Sequence, residues 1–138
     1  MVAMVAIFTL TTALVGVTVA PAAAASPLTA TDASGGARTT FSYTVGNGSV
    51  KWTLKVCDIK ADGHYAKGVM SFRGRDSILD NWGGFTTYVV TASGSGKCAS
   101  VARISYYCDF WLEMTAGVFE SDLLVANTGY AWREIFTC

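Results

Sequence analysis

From residue 50 the chain alternates strictly: Val50, Trp52, Leu54 and Val56 take one parity, and Lys51, Thr53 and Lys55 the other. A period of two describes a strand with one buried face and one wet face. The run "TTFSYTV" precedes it across Asn47-Gly48, and two such runs flanking Asn-Gly predict a β-hairpin. "YAKGVMSFR" (65–73) and "GFTTYVVTA" (84–92) are rich in β-branched and aromatic residues and bounded by Gly and Asp, which predicts two more strands. The longest alternation runs from Val101 to Met114, and "YAWREIFTC" closes the chain as a further strand. Residues 115–129 fit either a short strand or a short helix starting at Ser121, whose hydroxyl would cap it. No helical period runs through residues 39–138. The pattern predicts an all-β fold, a single antiparallel β-sandwich of roughly six to eight strands.

The first 25 residues differ in kind. They carry no charged side chain and end in Ala23-Ala24-Ala25 before Ser26, a small-x-small boundary that predicts a signal peptide over residues 1–25. No Lys or Arg precedes the apolar stretch, which departs from the usual pattern. Val2 to Ala20 approaches the ~20 apolar residues that span a bilayer. Four Thr and Gly16 dilute the stretch, however, and no basic cluster follows to stop transfer. The expectation is a secreted, extracellular protein with no stable membrane association after cleavage. Residues 26–38, "SPLTATDASGGAR", lack aromatics and periodicity and read as a flexible lead-in to a domain at 39–138. The Ala-rich signal has a bacterial character, which makes Asn47-Gly48-Ser49 a turn rather than a glycosylation site.

Charge narrows the partners. Ten Lys plus Arg balance ten Asp plus Glu, all beyond residue 25, so no net field draws in nucleic acid. The four cysteines, Cys57, Cys98, Cys108 and Cys138, read as two disulfides in a small exported chain. Three pairings exist. Were Val101 to Leu112 one strand rising about 3.3 Å per residue, Cys108 would lie more than about 20 Å from its start and far from Cys98. A disulfide needs Cα atoms within about 7 Å. That disfavours Cys98 with Cys108, and the preferred pairing is Cys57 with Cys98 and Cys108 with Cys138. A zinc site would use the same residues, but no C-x-x-C spacing occurs.

The densest polar stretch is "CDIKADGHY", residues 57–65, which contains the only His, His64. As a calcium loop it places Asp58, Asp62 and Gly63 at the first, fifth and sixth positions of the EF-hand pattern. Lys60 then puts a cation at the third position, and Val69 stands where a bidentate Glu belongs. As a catalytic site it lacks a nucleophile motif, since no G-x-S-x-G occurs. The stretch reads as a hairpin loop anchored by a disulfide, with Ala61-Asp62-Gly63 supplying the turn. No catalytic residue, metal or cofactor is assigned.

The run "VCDIKADGHYAKG", with "GSGKC" downstream, resembles a group of small secreted actinobacterial proteins over Val56 to about Cys98. That group has no assigned activity. The resemblance implies export, β-rich structure and disulfides, and no mechanism.

In the long alternation, Arg103, Ser105, Tyr107, Asp109, Trp111 and Glu113 share one parity, while Ile104, Tyr106, Cys108, Phe110 and Leu112 share the other. The second set reads as the core face. The first mixes charges with aromatics, as a sugar-stacking surface would, and makes Arg103, Tyr107, Asp109 and Trp111 a candidate ligand face. Asp109 and Glu113 would stand about 13 Å apart on one strand, beyond the roughly 5 to 9.5 Å of paired glycosidase carboxylates. Three readings follow. The leading one is a small exported non-catalytic β domain that binds a glycan, a surface polymer or an extracellular protein. The second is an inhibitor whose disulfide-held loop, "RGRDSILDNWGG", presents Arg73 or Arg75. The third, a small hydrolase, has no motif behind it.

N-terminal sequencing of protein recovered from culture medium is expected to begin between Ala23 and Leu28. Recovery only from membranes, with Met1 intact, would overturn the export reading.

Overall fold

The computed structural model describes residues 25–125 and 127–138. Residues 1–24 of the expected signal peptide lie outside them. Nine strands follow in chain order among the described residues: β1 Leu28–Thr31, β2 Ala37–Gly46, β3 Ser49–Asp58, β4 Tyr65–Arg75, β5 Thr86–Ser93, β6 Cys98–Ser105, β7 Asp109–Glu120, β8 Leu123–Leu124 and β9 Gly129–Phe136. One sheet has the order β1-β2-β3-β6. The other runs β5-β4-β7, with β8 and β9 both on the far side of β7. Every pairing is antiparallel. The result is the all-β antiparallel sandwich that the alternation predicts.

The core lies between the sheets and is filled from the apolar parity of each strand. Phe41, Val50, Leu54 and Val56 enter from the first sheet, and Met70, Phe110, Leu112 and Met114 from the second, all essentially inaccessible. Phe72 stacks on Phe110 with ring centroids 4.7 Å apart. Trp52 is buried too, and its Nε1 donates to the Ser105 hydroxyl at 2.9 Å, so its buried indole N–H is paired. On β4 the inward residue Gly68 is required by close approach: a Cβ there would lie 2.4 Å from Val56 Cγ2 and 2.5 Å from Thr39 Oγ1.

Both disulfides take the preferred pairing, Cys57 with Cys98 and Cys108 with Cys138. Cys57 and Cys98 face each other directly across β3 and β6. Val101 to Leu112 is not the single strand that the alternation predicts. The chain leaves the first sheet after Ser105 and enters the second at Asp109, and Tyr106-Tyr107-Cys108 make the corner. Cys98 and Cys108 are kept apart because they belong to different sheets. The sequence hides this break because aromatic residues continue through the corner, so the apolar alternation shows no gap.

Three other expectations change. The run 26–38 is not a flexible lead-in: Leu28–Thr31 forms β1, paired with Phe41 to Arg38 of β2. Short polar residues obscured it, but Ala30 is buried and the following Asp32 is 3% exposed. Asp32 closes the β1–β2 turn by accepting from the N–H of Ala37 at 2.6 Å, the N–H of Ser34 at 2.8 Å and the Ser34 hydroxyl. Secondly, "CDIKADGHY" is not a hairpin loop. β3 and β4 lie in different sheets, so residues 59–64 bridge the sandwich from one layer to the other. Thirdly, the described residues of 115–129 form strands, a turn and irregular chain, with no helix. β7 runs on to Glu120 because Ala116 and Val118 continue its buried parity. Ser121 and Asp122 then take φ of 47° and 65°, the paired left-handed conformation of a tight hairpin turn into β8.

Burial raises the pKa of the Asp32 carboxyl, but the Ser34 hydroxyl and the surrounding backbone N–H groups outweigh it and hold the group below its ordinary value of 3.8. Its contribution to stability is present above that value and is lost as pH falls through the lowered one. Asp32→Ala is expected to cost about 1–3 kcal/mol in urea unfolding, since it leaves buried donors unpaired. Hydrogen exchange should show β1 losing protection first; unchanged β1 protection would refute this role for Asp32.

Candidate functional site

The four residues of the expected ligand face do not share a surface. In β6 the register sets Arg103 opposite Trp52 and Val101 opposite Leu54, so the odd parity points inward and Ile104 points out. In β7 the even parity points inward, with Phe110, Leu112 and Met114 in the core. The corner at 106–108 exchanges the parities. Arg103 therefore sits at the rim of the first sheet, exposed, with Nη1 donating to the Ala102 carbonyl at 2.8 Å. Tyr107 lies half-buried in the corner, against Phe72 and Phe110. Asp109 is fully buried, and Trp111 alone stands on an open face.

That face is the outer surface of the five-stranded sheet, and β7 and β9 build it together. Their register places Trp111 beside Glu134, Glu113 beside Trp132, and Thr115 beside Tyr130. Trp111 and Trp132 stack diagonally with centroids 5.0 Å apart and planes 13° from parallel. Trp132 is 54% exposed, and Tyr130 and Phe136 are exposed beside it. The Tyr130 hydroxyl donates to Glu113 Oε2 at 3.1 Å. Burial, together with this carboxylate acceptor, raises the Tyr130 pKa above its ordinary value, so the phenol remains protonated and able to donate. On the other flank β4 contributes Arg73, opposite Trp111. Its guanidinium lies 5.0 Å from the Trp82 ring centre and 5.1 Å from that of Phe85, held between two aromatics of the 76–85 loop.

The same loop is braced from below. Arg75 donates through Nε and Nη2 to one oxygen of the buried Asp109 carboxylate at 2.8 and 2.6 Å. Its Nη1 donates to the Ile78 carbonyl at 2.9 Å, and Trp82 covers the guanidinium at 4.7 Å. A buried carboxylate is tolerable only when paired in this way. Neither arginine is presented to solvent as a loop tip. The tip instead displays Ile78 and Leu79, the latter 90% exposed.

"CDIKADGHY" contributes fastening rather than chemistry. His64 lies between Asp62, with Nδ1 3.3 Å from a carboxylate oxygen, and Glu120, with Nε2 at 3.5 Å. Asp62 also accepts from the His64 backbone N–H at 3.1 Å, the first cause of its lowered pKa. Next to it Asp122 accepts from the Tyr65 hydroxyl at 2.6 Å and from Lys67 Nζ at 3.2 Å, and both hold its carboxyl below the ordinary value. These contacts tie the inter-sheet loop and the start of β4 to the end of β7 and the β7–β8 turn. Among the described residues no three His, Cys, Asp or Glu side chains gather as a metal-binding group.

A concavity of about 760 Å³ lies elsewhere, on the outer face of the four-stranded sheet. Its floor is Ser42, Thr44, Lys51, Thr53, Ala102 and Ile104, with Ala25 to Pro27 as one wall. The aromatic residues bordering it, Tyr43 and Trp52, turn their rings toward the core. It offers no stacking platform, and the chemistry is concentrated on the other sheet.

Comparison with protein-family models, with curated proteins and with solved structures yields no match. Sequence reasoning found Trp111 but missed its partners. Tyr130, Trp132, Glu134 and Phe136 share one parity of "YAWREIFTC", a signal that was present; which parity faces outward is fixed only by the pairing with β7.

Arg75→Met removes the counter-charge of a fully buried carboxylate and is expected to cost about 3–5 kcal/mol in urea unfolding. A loss below about 1 kcal/mol, typical of an exposed pair, would show that the bridge does not hold the loop.

Proposed function

We propose that this chain is an exported, non-catalytic β domain that binds a glycan or surface polymer on the outer face of its five-stranded sheet. The observation that carries the reading is the Trp111–Trp132 stack, set in a polar frame of Glu113, Glu134, Tyr130 and Arg73. An exposed indole face receives the apolar face of a pyranose ring, while carboxylates and a phenol beside it exchange hydrogen bonds with sugar hydroxyls. Stacking fixes the planes of both indoles before a ligand arrives, which lowers the entropy lost on binding. The face is also built on paired strands rather than loops, so its residues are held in register. Export is supported by the uncharged apolar start with its Ala-rich boundary and by the two disulfides, which are typical of extracellular proteins.

A second reading is favoured by the 76–85 loop. Its braced base and exposed Ile78-Leu79 tip suit an inhibitor that inserts an apolar side chain into a protease pocket. Arg73 and Arg75, the residues first expected in that role, are engaged in holding the loop.

The glycan reading is tested by retention on insoluble polysaccharides and cell-wall material. Trp132→Ala is expected to weaken retention several-fold, because an aromatic platform contributes about 0.5–1.5 kcal/mol beyond area burial, by analogy with aromatic pairs. Its melting temperature should stay close to that of the parent, since the side chain lies outside the core. Equal retention of parent and variant would refute the site. Inhibition of an extracellular protease, abolished by Leu79→Asp, would replace the reading with the second.

A further inference from the structure

A strand at the edge of a sheet exposes a row of unpaired N–H and C=O groups, and proteins guard such edges with charge, proline, bulges or brevity. The other edges here carry such guards. β1 has four residues and β8 two. β6 contains Arg103, folded back onto the Ala102 carbonyl of the same strand. β9 contains Arg133 and Glu134, and Arg133 Nη1 crosses to the other sheet to donate to the Ser26 carbonyl at 2.6 Å. β5 has none of them. Among the described residues it pairs with β4 alone, and its sequence, "TTYVVTAS", holds no charged residue, proline or glycine. Its register with β4 runs unbroken from Thr86 to Ser93, so no bulge turns the edge away.

We propose that two copies of this chain associate through β5, joining their five-stranded sheets into one continuous antiparallel sheet. The register follows from the strand itself. An antiparallel pair related by a two-fold axis must set residues of the same face opposite each other. Centring the axis on Val89 places Val89 opposite Val89, Thr87 opposite Thr91, and Tyr88 opposite Val90. The outer row then consists of two Thr–Thr pairs around a Val–Val contact, both favourable cross-strand combinations with no like charges opposed. Val89 is 57% exposed in the isolated chain, so an apolar side chain at the centre of this row lies largely in water until a partner covers it. The strand is thus complementary to itself, and a second copy is the partner it fits. The buried area of one strand pair places the contact among weak interfaces, below about 1,200 Å², with association in the micromolar range or weaker.

The axis stands perpendicular to the sheet, so both outer faces look the same way. Counting five interstrand steps of about 4.8 Å, β7 of one copy lies about 24 Å from β7 of the other. A long polymer would then meet two aromatic strips on one surface, with the gain in avidity that linked sites confer. The dimer itself does not depend on what those strips bind.

Sedimentation velocity on the secreted chain, from low micromolar to submillimolar concentration, is expected to show a monomer–dimer equilibrium. Val89→Lys sets two ammonium groups opposite each other and should leave a monomer with an unchanged circular dichroism spectrum. In an oxidising buffer Val89→Cys should cross-link to a covalent dimer, whereas Thr87→Cys, four residues from its own copy across the axis, should not. Should Val89→Lys fail to fold, the two cysteine variants decide the matter. A parent chain monomeric throughout the range, a dimer that survives Val89→Lys, or equal cross-linking of the two cysteine variants would each overturn the proposal.

Discussion

The arrangement turns on the corner where the chain passes from one sheet to the other, at Tyr106-Tyr107-Cys108. Three different interactions hold it. Tyr107 fills the space above Gly74, where even a Cβ would lie 2.1 Å from the ring. Cys108 is bonded to Cys138, and backbone hydrogen bonds from Cys108 N to the Arg75 carbonyl and from Thr137 N to the Cys108 carbonyl set it between β4 and the chain end. Immediately after it, the buried Asp109 receives Arg75. Covalent link, ring packing and ion pair coincide within three residues. Each constrains the same backbone path, so the direction of β7 is fixed as it enters the second sheet.

From that fixed entry the rest of the second sheet follows. β7 is its central strand, paired along one side with β4 and along the other with β9 and β8. With its parity set at the corner, Phe110, Leu112 and Met114 go to the core, and Trp111 and Glu113 to the outside. β9 must then present Trp132 and Tyr130 on that same outer face. The ion pair has a second consequence. Because Asp109 is buried, Arg75 cannot swing out, and through the Ile78 carbonyl and the Trp82 ring it braces the loop whose Trp82 and Phe85 flank Arg73 of β4. Loop, aromatic stack and carboxylates are assembled around one strand by one constraint.

The two sheets divide the labour. The four-stranded sheet presents Thr, Ser and Lys outward and supplies large core residues such as Phe41 and Trp52 inward. The five-stranded sheet keeps aromatic residues on both sides, with Phe72 and Phe110 inside and Trp111, Trp132 and Tyr130 outside. Aromatic side chains held outside a filled core are the feature on which the proposed binding face rests.

Local pattern was enough for much of the architecture. The period of two, the Asn-Gly turn and the absence of helical runs determined a β-sandwich, because each is decided by neighbours within a few residues. Cysteine spacing and compartment led to the disulfide pairing, although its geometric premise treated two strands as one. What the sequence could not determine was every feature that depends on which strands become neighbours. β1 was hidden in a polar run because its order comes from pairing with β2 and from the Ser34 and Ala37 groups that donate to Asp32. The break at 106–108 was invisible because aromatic residues serve equally in a strand and in a packed corner. The parity switch there scattered Arg103, Tyr107, Asp109 and Trp111 to a rim, a corner, a buried ion pair and an open face. Trp111 and Trp132 stand 21 positions apart in the chain, and only the β7–β9 register brings them into contact. Alternation along a strand states that two faces exist; the partner strands decide which one is covered, since burial is a property of the assembled layers.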